Sequence, residues 1–160
     1  MAKATLKITC AQCGNTFVHS RTCYNRRDAD EYEDWASKHI TICPTCYRRN
    51  REESTAAKAS AIIAELNIPP TIDGVSDNQV AYAHKVRNDY IVKNADHMRE
   101  TFRWLALIDS DAPEFLDVLT QNNWTRQQAI DRFNETNRLD LMVLRSSDAR
   151  SILDMLAVSR

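Results

Sequence analysis

The sequence contains very little glycine: Gly14 and Gly74 are the only two in 160 residues. Tight turns need residues that tolerate positive φ, so this scarcity argues against a β-sandwich with many turns. A phosphate-binding loop also needs glycine, and neither GxGxxG nor GxxxxGK[ST] occurs. We therefore do not expect a nucleotide-binding fold of these kinds.

Long apolar runs and a strong net charge are also missing. No stretch has the length of a transmembrane helix, and the first residues lack the apolar core of a signal peptide. The net charge is −1, divided into +3 in residues 1–50 (eight Lys+Arg, five Asp+Glu) and −4 in residues 51–160 (thirteen and seventeen). Neither part is basic enough for strong general attraction to nucleic acid. We expect a soluble, intracellular protein that does not bind membranes.

Catalytic patterns are absent from the sequence too. It has no HExxH, no HxE and no glycine elbow around a serine, and no nucleophile stands in a recognisable pattern with a base. Scattered carboxylates such as Asp109 and Asp111 are better explained as helix caps. The sequence therefore predicts a protein that is not an enzyme.

What the sequence does contain is a repeated cysteine pair. Cys10 and Cys13 form one C-x2-C, and Cys43 and Cys46 form a second after a gap of 29 residues. Four thiolates in a tetrahedron satisfy zinc and leave no open position for catalysis. Gly14 directly after Cys13 suits the left-handed exit from such a knuckle. We predict one structural zinc ion, whose binding is coupled to folding of the small N-terminal segment.

Other assignments of these residues remain open at this stage. His19 or His39 is an alternative ligand in place of one cysteine, and iron is an alternative to zinc. Two redox-active cysteine pairs are a further alternative. The fifth cysteine, Cys23, is expected to be a small buried side chain, with a redox thiol as the alternative.

The predicted fold is α+β and mostly helical. Strand-like segments around Leu6–Ile8 and Thr16–Val18 predict a hairpin with a metal knuckle at its tip. A helix over 28–39, capped by Asn25 or Asp28, is inserted before the second knuckle. We therefore divide the chain into a zinc-ribbon domain at 1–50, a helix and linker at 51–75, and a helical domain at 76–160.

Helical patterns continue to the end of the chain. Pro44 can start a helix that reaches Leu66, and one long helix is predicted over 76–109. If this long helix is uncovered, a homodimer through it is the alternative to a monomer. The remaining predictions are a short helix capped by Asp111 and Glu114, a capping box at Thr125 and Gln128, an ambiguous segment 139–145, and a last helix from Ser147 or Asp148.

Several segments resemble small zinc-ribbon proteins encoded by phages and mobile elements of Gram-positive bacteria. The resemblance lies in Thr22–Asp30, in Trp35, in Ile42–Tyr47 with its Cys-Pro-Thr-Cys, and in Gly74–Ala83. Related proteins often carry Trp where Tyr82 stands, and an Asp-Ala-basic signal like Asp148–Arg150. Some small metalloproteins of this origin are anti-CRISPR proteins. The resemblance implies a cytoplasmic protein of a bacterial host cell that binds and inhibits a type II RNA-guided effector nuclease.

The acidic stretch after Asn25 is the predicted contact surface for a protein partner of this kind. A basic groove or lobe of a nuclease would complement its carboxylates, which are Asp28, Asp30, Glu31, Glu33 and Asp34. The same residues also suit the N-terminus of a solvated helix. Trp104 and Trp124 are expected to be core residues of the helical domain, with partner anchors as the alternative.

The alternative function is that of an accessory protein that binds nucleic acid through its zinc ribbon. Its basic edge would consist of Arg21, Arg26, Arg27, Arg48, Arg49 and Arg51. Tyr24 and Tyr47 would be available to stack on bases. The intervening acids weigh against this alternative.

Overall fold

The computed structural model describes residues 1–158 as a two-stranded sheet followed by eight helices. The strands are β1 (Ala2–Thr9) and β2 (Thr16–Cys23). The helices are α1 (Arg26–His39), α2 (Pro44–Glu65), α3 (Asp77–Lys93), α4 (Ala95–Asp109), α5 (Pro113–Asn122), α6 (Arg126–Thr136), α7 (Arg138–Arg145) and α8 (Ala149–Val158). The predicted class, mostly helical α+β with an N-terminal hairpin, is confirmed.

The chain forms two compact units, Met1–Glu53 and a second that begins at Ser54. Helix α2 contributes to both, since it carries Cys46 in its first turn and Ala59 and Ile62 of the second core. Among the described helices, none combines the length and the hydropathy that crossing a bilayer requires.

In the first unit, β1 and β2 pair antiparallel from Ala2 opposite Cys23 to Thr9 opposite Thr16. Helix α1 packs on this hairpin. The completely buried residues here are Ala4, Ala29 and Ala36, whose small side chains let helix and sheet approach closely. The side chain of Asn25 accepts the N–H of Asp28 at 2.8 Å, so of the two predicted caps Asn25 starts this helix.

The second unit has a core built from several helices. Helix α3 packs against α8, and α4 packs against α5 and α7. From α2, Ala59 and Ile62 are buried in this core, whereas Ala56 is exposed. Residues 67–75 also join this core: Ile68 and Ile72 are buried, and Asp73 bridges to Asp148 before α8.

The prediction of a single long helix over 76–109 is wrong. The structure has two helices instead: α3 ends at Lys93, and α4 begins at Ala95. Asn94 lies between them at φ −114° and ψ 22°, and its side-chain amide donates to the carbonyl of Tyr90 at 2.9 Å. Asparagine competes with the helical backbone in this way, which explains the break. The long uncovered helix that motivated the homodimer alternative therefore does not exist.

The start of α5 also differs from the prediction. Its cap is Ala112 without a side-chain hydrogen bond, and Pro113 occupies the first turn. Asp111 instead has φ 47° and pairs with Arg126 at 3.0 Å. Elsewhere Thr125 and Gln128 form the predicted capping box, and the ambiguous segment 139–145 is helical.

Candidate metal centre

Two chain turns bring the four predicted cysteines together. Cys10 follows directly after β1, and Cys13 lies in the turn that leads to β2. Cys43 immediately precedes Pro44, which starts α2, and Cys46 lies in the first turn of that helix. One pair is therefore carried by a hairpin tip and the other by a helix N-terminus.

The sulfurs of this cluster lie close enough to share one ion. All four Sγ atoms are within 4.8 Å of one another, and those of Cys13 and Cys43 are 3.9 Å apart. Four sulfurs each about 2.3 Å from one zinc ion stand about 3.8 Å apart in a tetrahedron. The spacing thus fits a single tetrathiolate metal site.

Backbone groups hold the two turns in register. The N–H of Ala11 donates to the carbonyl of Thr41 at 2.8 Å, which joins the two cysteine segments directly. The N–H of Cys43 donates to Sγ of Cys10 at 3.2 Å, and that of Cys46 donates to Sγ of Cys43 at 3.4 Å. Such donors stabilise negative charge on sulfur. Gly14 leaves the first turn at φ +72°, as predicted for this position.

The pKa values of two of these thiols are shifted in opposite directions. The hydrogen bond from the backbone of Cys43 lowers the pKa of Cys10 to about 6, although burial opposes it. The pKa of Cys46 is raised to about 12 by its hydrogen bond with the side chain of Cys43 and by burial. Four adjacent thiolates need a cation to balance their charge, and a bound divalent ion would supply it.

His19, His39 and Cys23 of the first unit lie outside the cluster of four cysteines. His19 hydrogen-bonds through Nε2 to the hydroxyl of Tyr32 at 2.8 Å, and Nδ1 of His39 lies 2.7 Å from the carbonyl oxygen of Trp35. Cys23 ends β2 and is half-buried, with its sulfur 4.0 Å from the carbonyl oxygen of Arg21. The cluster therefore consists of cysteines alone.

The predicted acidic contact surface lies on α1, and most of its carboxylates have local partners. Asp30 pairs with Arg26 at 2.7 Å, Glu31 with Arg27 at 3.0 Å, and Asp34 with Lys38 at 2.7 Å. Glu33 accepts the N–H of Thr5 at 2.8 Å and so satisfies an edge-strand donor. Asp28 is exposed, and no ion pair to it appears within the described chain.

The arginines of the predicted basic edge are distributed differently. The guanidinium of Arg21 lies 4.7 Å from the ring centroid of Tyr32, and Arg49 pairs with Glu53 at 3.8 Å. Tyr24 and Tyr47 are 84% and 65% exposed. The exposed tyrosines suit the nucleic-acid alternative, whereas the paired arginines weaken it.

An aromatic row on α1 escaped the sequence analysis. Tyr32 stacks on Trp35 with ring centroids 5.6 Å apart, and Trp35 stacks on His39 at 4.8 Å. Trp35 is 47% exposed. The i, i+3 and i, i+4 spacing of these residues is visible in the sequence, but the sequence alone does not show that the ring of Trp35 is exposed.

A second unpredicted feature is the buried carboxylate of Asp140 in the second unit. It receives hydrogen bonds from Tyr90 at 2.6 Å, Thr101 at 3.0 Å and Nδ1 of His97 at 2.5 Å. The last hydrogen bond gives His97 a role that the sequence did not indicate. No sequence signal joins these positions, because they are 39 to 50 residues from Asp140.

Comparison with family models, with curated proteins and with solved structures finds no match for this chain. The class that fold and site define is accordingly a mostly helical α+β protein with a four-cysteine cluster of metal-site geometry.

Proposed function

We propose that this protein is a non-enzymatic binding protein whose first unit is stabilised by one zinc ion. The observation that carries the proposal is the four-cysteine cluster, because four thiolates complete the tetrahedron of zinc. No coordination position remains for a substrate or a reactive water molecule. The sulfur spacing of 3.9 Å and the all-thiolate ligand set support zinc over harder divalent ions.

The proposed partner is a protein, namely a type II RNA-guided effector nuclease that this chain inhibits. The resemblance of Thr22–Asp30 and Ile42–Tyr47 to phage zinc-ribbon proteins supports this partner. The first unit also exposes Tyr24, Trp35 and Tyr47, and aromatic anchors of this kind dominate protein interfaces. The carboxylates of α1 would face a basic surface of the nuclease, with unpaired Asp28 as the first contact.

The direct test is cleavage of target DNA by guide-loaded nuclease in the presence of a molar excess of the zinc-loaded protein. Inhibition together with co-elution of the two proteins is the expected result. Unchanged cleavage by nucleases of the type II class would overturn the proposed partner. Metal content measured on the same sample tests the zinc assignment separately.

Two matched variants, each with four acidic residues neutralised, test the proposed contact surface. One variant combines Asp28→Asn, Asp30→Asn, Glu31→Gln and Asp34→Asn, and leaves Glu33 to hold β1. The control combines changes at exposed acids of the second unit, namely Asp117→Asn, Asp131→Asn, Glu135→Gln and Asp154→Asn. Inhibition should weaken in the first variant alone, and equal loss in both would contradict the assignment to α1.

Nucleic-acid binding is the second candidate, favoured by the exposure of Tyr24 and of Tyr47, which directly precedes Arg48 in sequence. Phosphate contacts release counterions, so affinity for DNA should fall steeply as salt rises. Filter binding of single-stranded DNA across a salt series distinguishes the candidates. Absent binding at low salt would exclude this function.

A further inference from the structure

The second unit contains an apolar pocket of about 340 Å³ between α4, α5 and α6. Its wall is largely aromatic, and the main contributors are Trp104, Ile108, Phe115, Trp124 and Phe133. This volume lies near the lower end of the range for small-molecule sites, about 300–1,000 Å³. A planar aromatic ligand could stack on the rings of this wall.

Polar groups of the lining include His97, Thr101 and Asn137. His97 has a fixed ring orientation, because Nδ1 lies 2.5 Å from the carboxylate of Asp140, which is 2% exposed. A carboxylate that receives three donors only accepts, so Nδ1 carries the proton. His97 is 62% exposed, and within residues 1–158 no hydrogen-bond partner contacts its Nε2. In the uncharged tautomer that donates through Nδ1, Nε2 is an acceptor.

The charged groups of the lining are already neutralised by neighbours along their own helices. Glu100 pairs with Arg103 at 3.1 Å, and Arg132 pairs with Glu135 at 3.5 Å. The four side chains are 52–76% exposed, so these charges are mainly solvated, whereas the pocket wall itself is largely apolar. A charged ligand would lose its hydration among aromatic rings without gaining a counter-ion, which is strongly unfavourable.

We propose that this pocket binds a free, uncharged aromatic molecule of about two fused rings that carries one hydroxyl or N–H group. The rings pack among Trp104, Phe115 and Phe133, and the polar hydrogen is donated to Nε2 of His97. Asp140 acts as a positioning residue, since it sets the tautomer of His97. This binding activity is independent of the metal centre and goes beyond the function proposed for the first unit.

The probe is 2-naphthol, which is uncharged at neutral pH, compared with 2-methoxynaphthalene and 2-naphthoate by calorimetry. The methoxy compound lacks the donor and should bind roughly five- to tenfold more weakly, as expected for one lost hydrogen bond. The anion should bind more weakly than either. Absence of 2-naphthol binding up to its solubility limit, equal affinity for the first two probes, or preference for the anion would each overturn the proposal.

The location is tested by NMR of the indole N–H groups. Trp104 and Trp124 should shift on addition of 2-naphthol, whereas Trp35 in the first unit is an internal reference. Val118→Trp should fill the pocket and abolish these shifts, and Leu116→Trp, at an exposed position of the same helix outside the lining, should preserve them. Persistence of the shifts in Val118→Trp would contradict the assignment.

A separate variant tests the proposed hydrogen bond to His97. His97→Phe keeps a ring of similar size but removes Nε2, so 2-naphthol and 2-methoxynaphthalene should bind with equal affinity. The spectrum of the second unit checks that the variant is folded. If a folded His97→Phe retains the wild-type preference, another group recognises the hydroxyl and the proposal is wrong.

Discussion

Cys13 differs from the other three cysteines of the cluster because its side chain is exposed, whereas Cys10, Cys43 and Cys46 are buried. Replacement of either kind of ligand leaves three thiolates, which no longer complete the zinc tetrahedron. We expect Cys13→Ser and Cys43→Ser to lose stoichiometric metal, as measured by elemental analysis after dialysis. Cys23→Ser is the matched control and should retain one ion per chain.

The role of the exposed ligand can be separated from a packing effect. The side chain of Cys13 is exposed, so its replacement removes little packing and should act mainly through the metal. Metal binding by Cys13→Ser with unchanged affinity, measured in a chelator competition, would show that three cysteines suffice and would refute the tetrathiolate site.

A second prediction at the scale of single residues concerns the hydrogen bonds that Asp140 receives. Loss of a buried hydrogen bond to a charged group costs about 1.5–3 kcal/mol, so Tyr90→Phe should lower the free energy of unfolding by that amount. Asp140→Ala removes the acceptor shared by all three donors and should cost more, about 3–5 kcal/mol, although Thr101 still reaches Asn137 at 3.1 Å and the exposed His97 can turn to water. Urea unfolding in a Trp35→Phe background, where Trp104 and Trp124 report the second unit, measures both. Equal effects of the two changes would contradict a shared network.

Capping and knuckle chemistry could be predicted from the sequence because they are local. Asn25, Gly14 and the Thr125–Gln128 capping box each act within a few residues of their partners. The cysteine spacing belongs to the same category, since each C-x2-C pair lies within four consecutive residues. These features account for the correct prediction of the hairpin, of α1 and of the clustering of the four cysteines.

Interactions between distant positions could not be predicted in this way. Arg87 is completely buried and donates to the carbonyls of Pro69 and Pro70 at 2.8 and 3.1 Å, although an arginine in a helix normally indicates solvent. Burial lowers the pKa of Arg87. Asp140 is a similar case, because its donors come from other helices. Both side chains are buried because they form hydrogen bonds with residues that are distant in the sequence.

At the scale of elements, Gly74 marks the contact between the segment before α3 and helix α8. A Cβ added there would lie 2.8 Å from Cγ2 of Val80 and 3.0 Å from Cβ of Ala149. Overpacking of this kind costs about 1–3 kcal/mol. Gly74→Ala should therefore lower the midpoint of urea unfolding of the second unit, followed in the same Trp35→Phe background.

Gly14 is the matched comparison for Gly74. An added side chain at Gly14 would strain the backbone conformation and would not clash with a neighbour. A Cβ at Gly14 meets nothing within 4 Å, but the residue adopts φ +72°. The left-handed conformation costs a residue with a Cβ about 1–2 kcal/mol, so Gly14→Ala should weaken zinc affinity roughly tenfold. Chelator competition measures this effect, and the unfolding of the second unit should remain unchanged.

At the scale of the whole molecule, the two units differ in what stabilises them. The buried apolar residues of Met1–Glu53 are Ala4, Cys10, Ala29, Ala36, Cys43 and Cys46, so half of them belong to the cysteine cluster and the rest are alanines. The second unit instead buries large residues such as Ile91, Met98 and Ile152. Structural zinc contributes about 10–16 kcal/mol in zinc-finger peptides, which far exceeds what three alanines supply.

We therefore expect a strong chelator to unfold the first unit and leave the second folded. In amide NMR spectra, the signals of β1, β2 and α1 should collapse to unfolded positions while those of α3 to α8 stay dispersed. Zinc added back should restore the first set, and magnesium, which prefers oxygen ligands, should not. A dispersed hairpin spectrum in metal-free protein would mean that alanine packing alone suffices, and the coupling of metal binding to folding would be refuted.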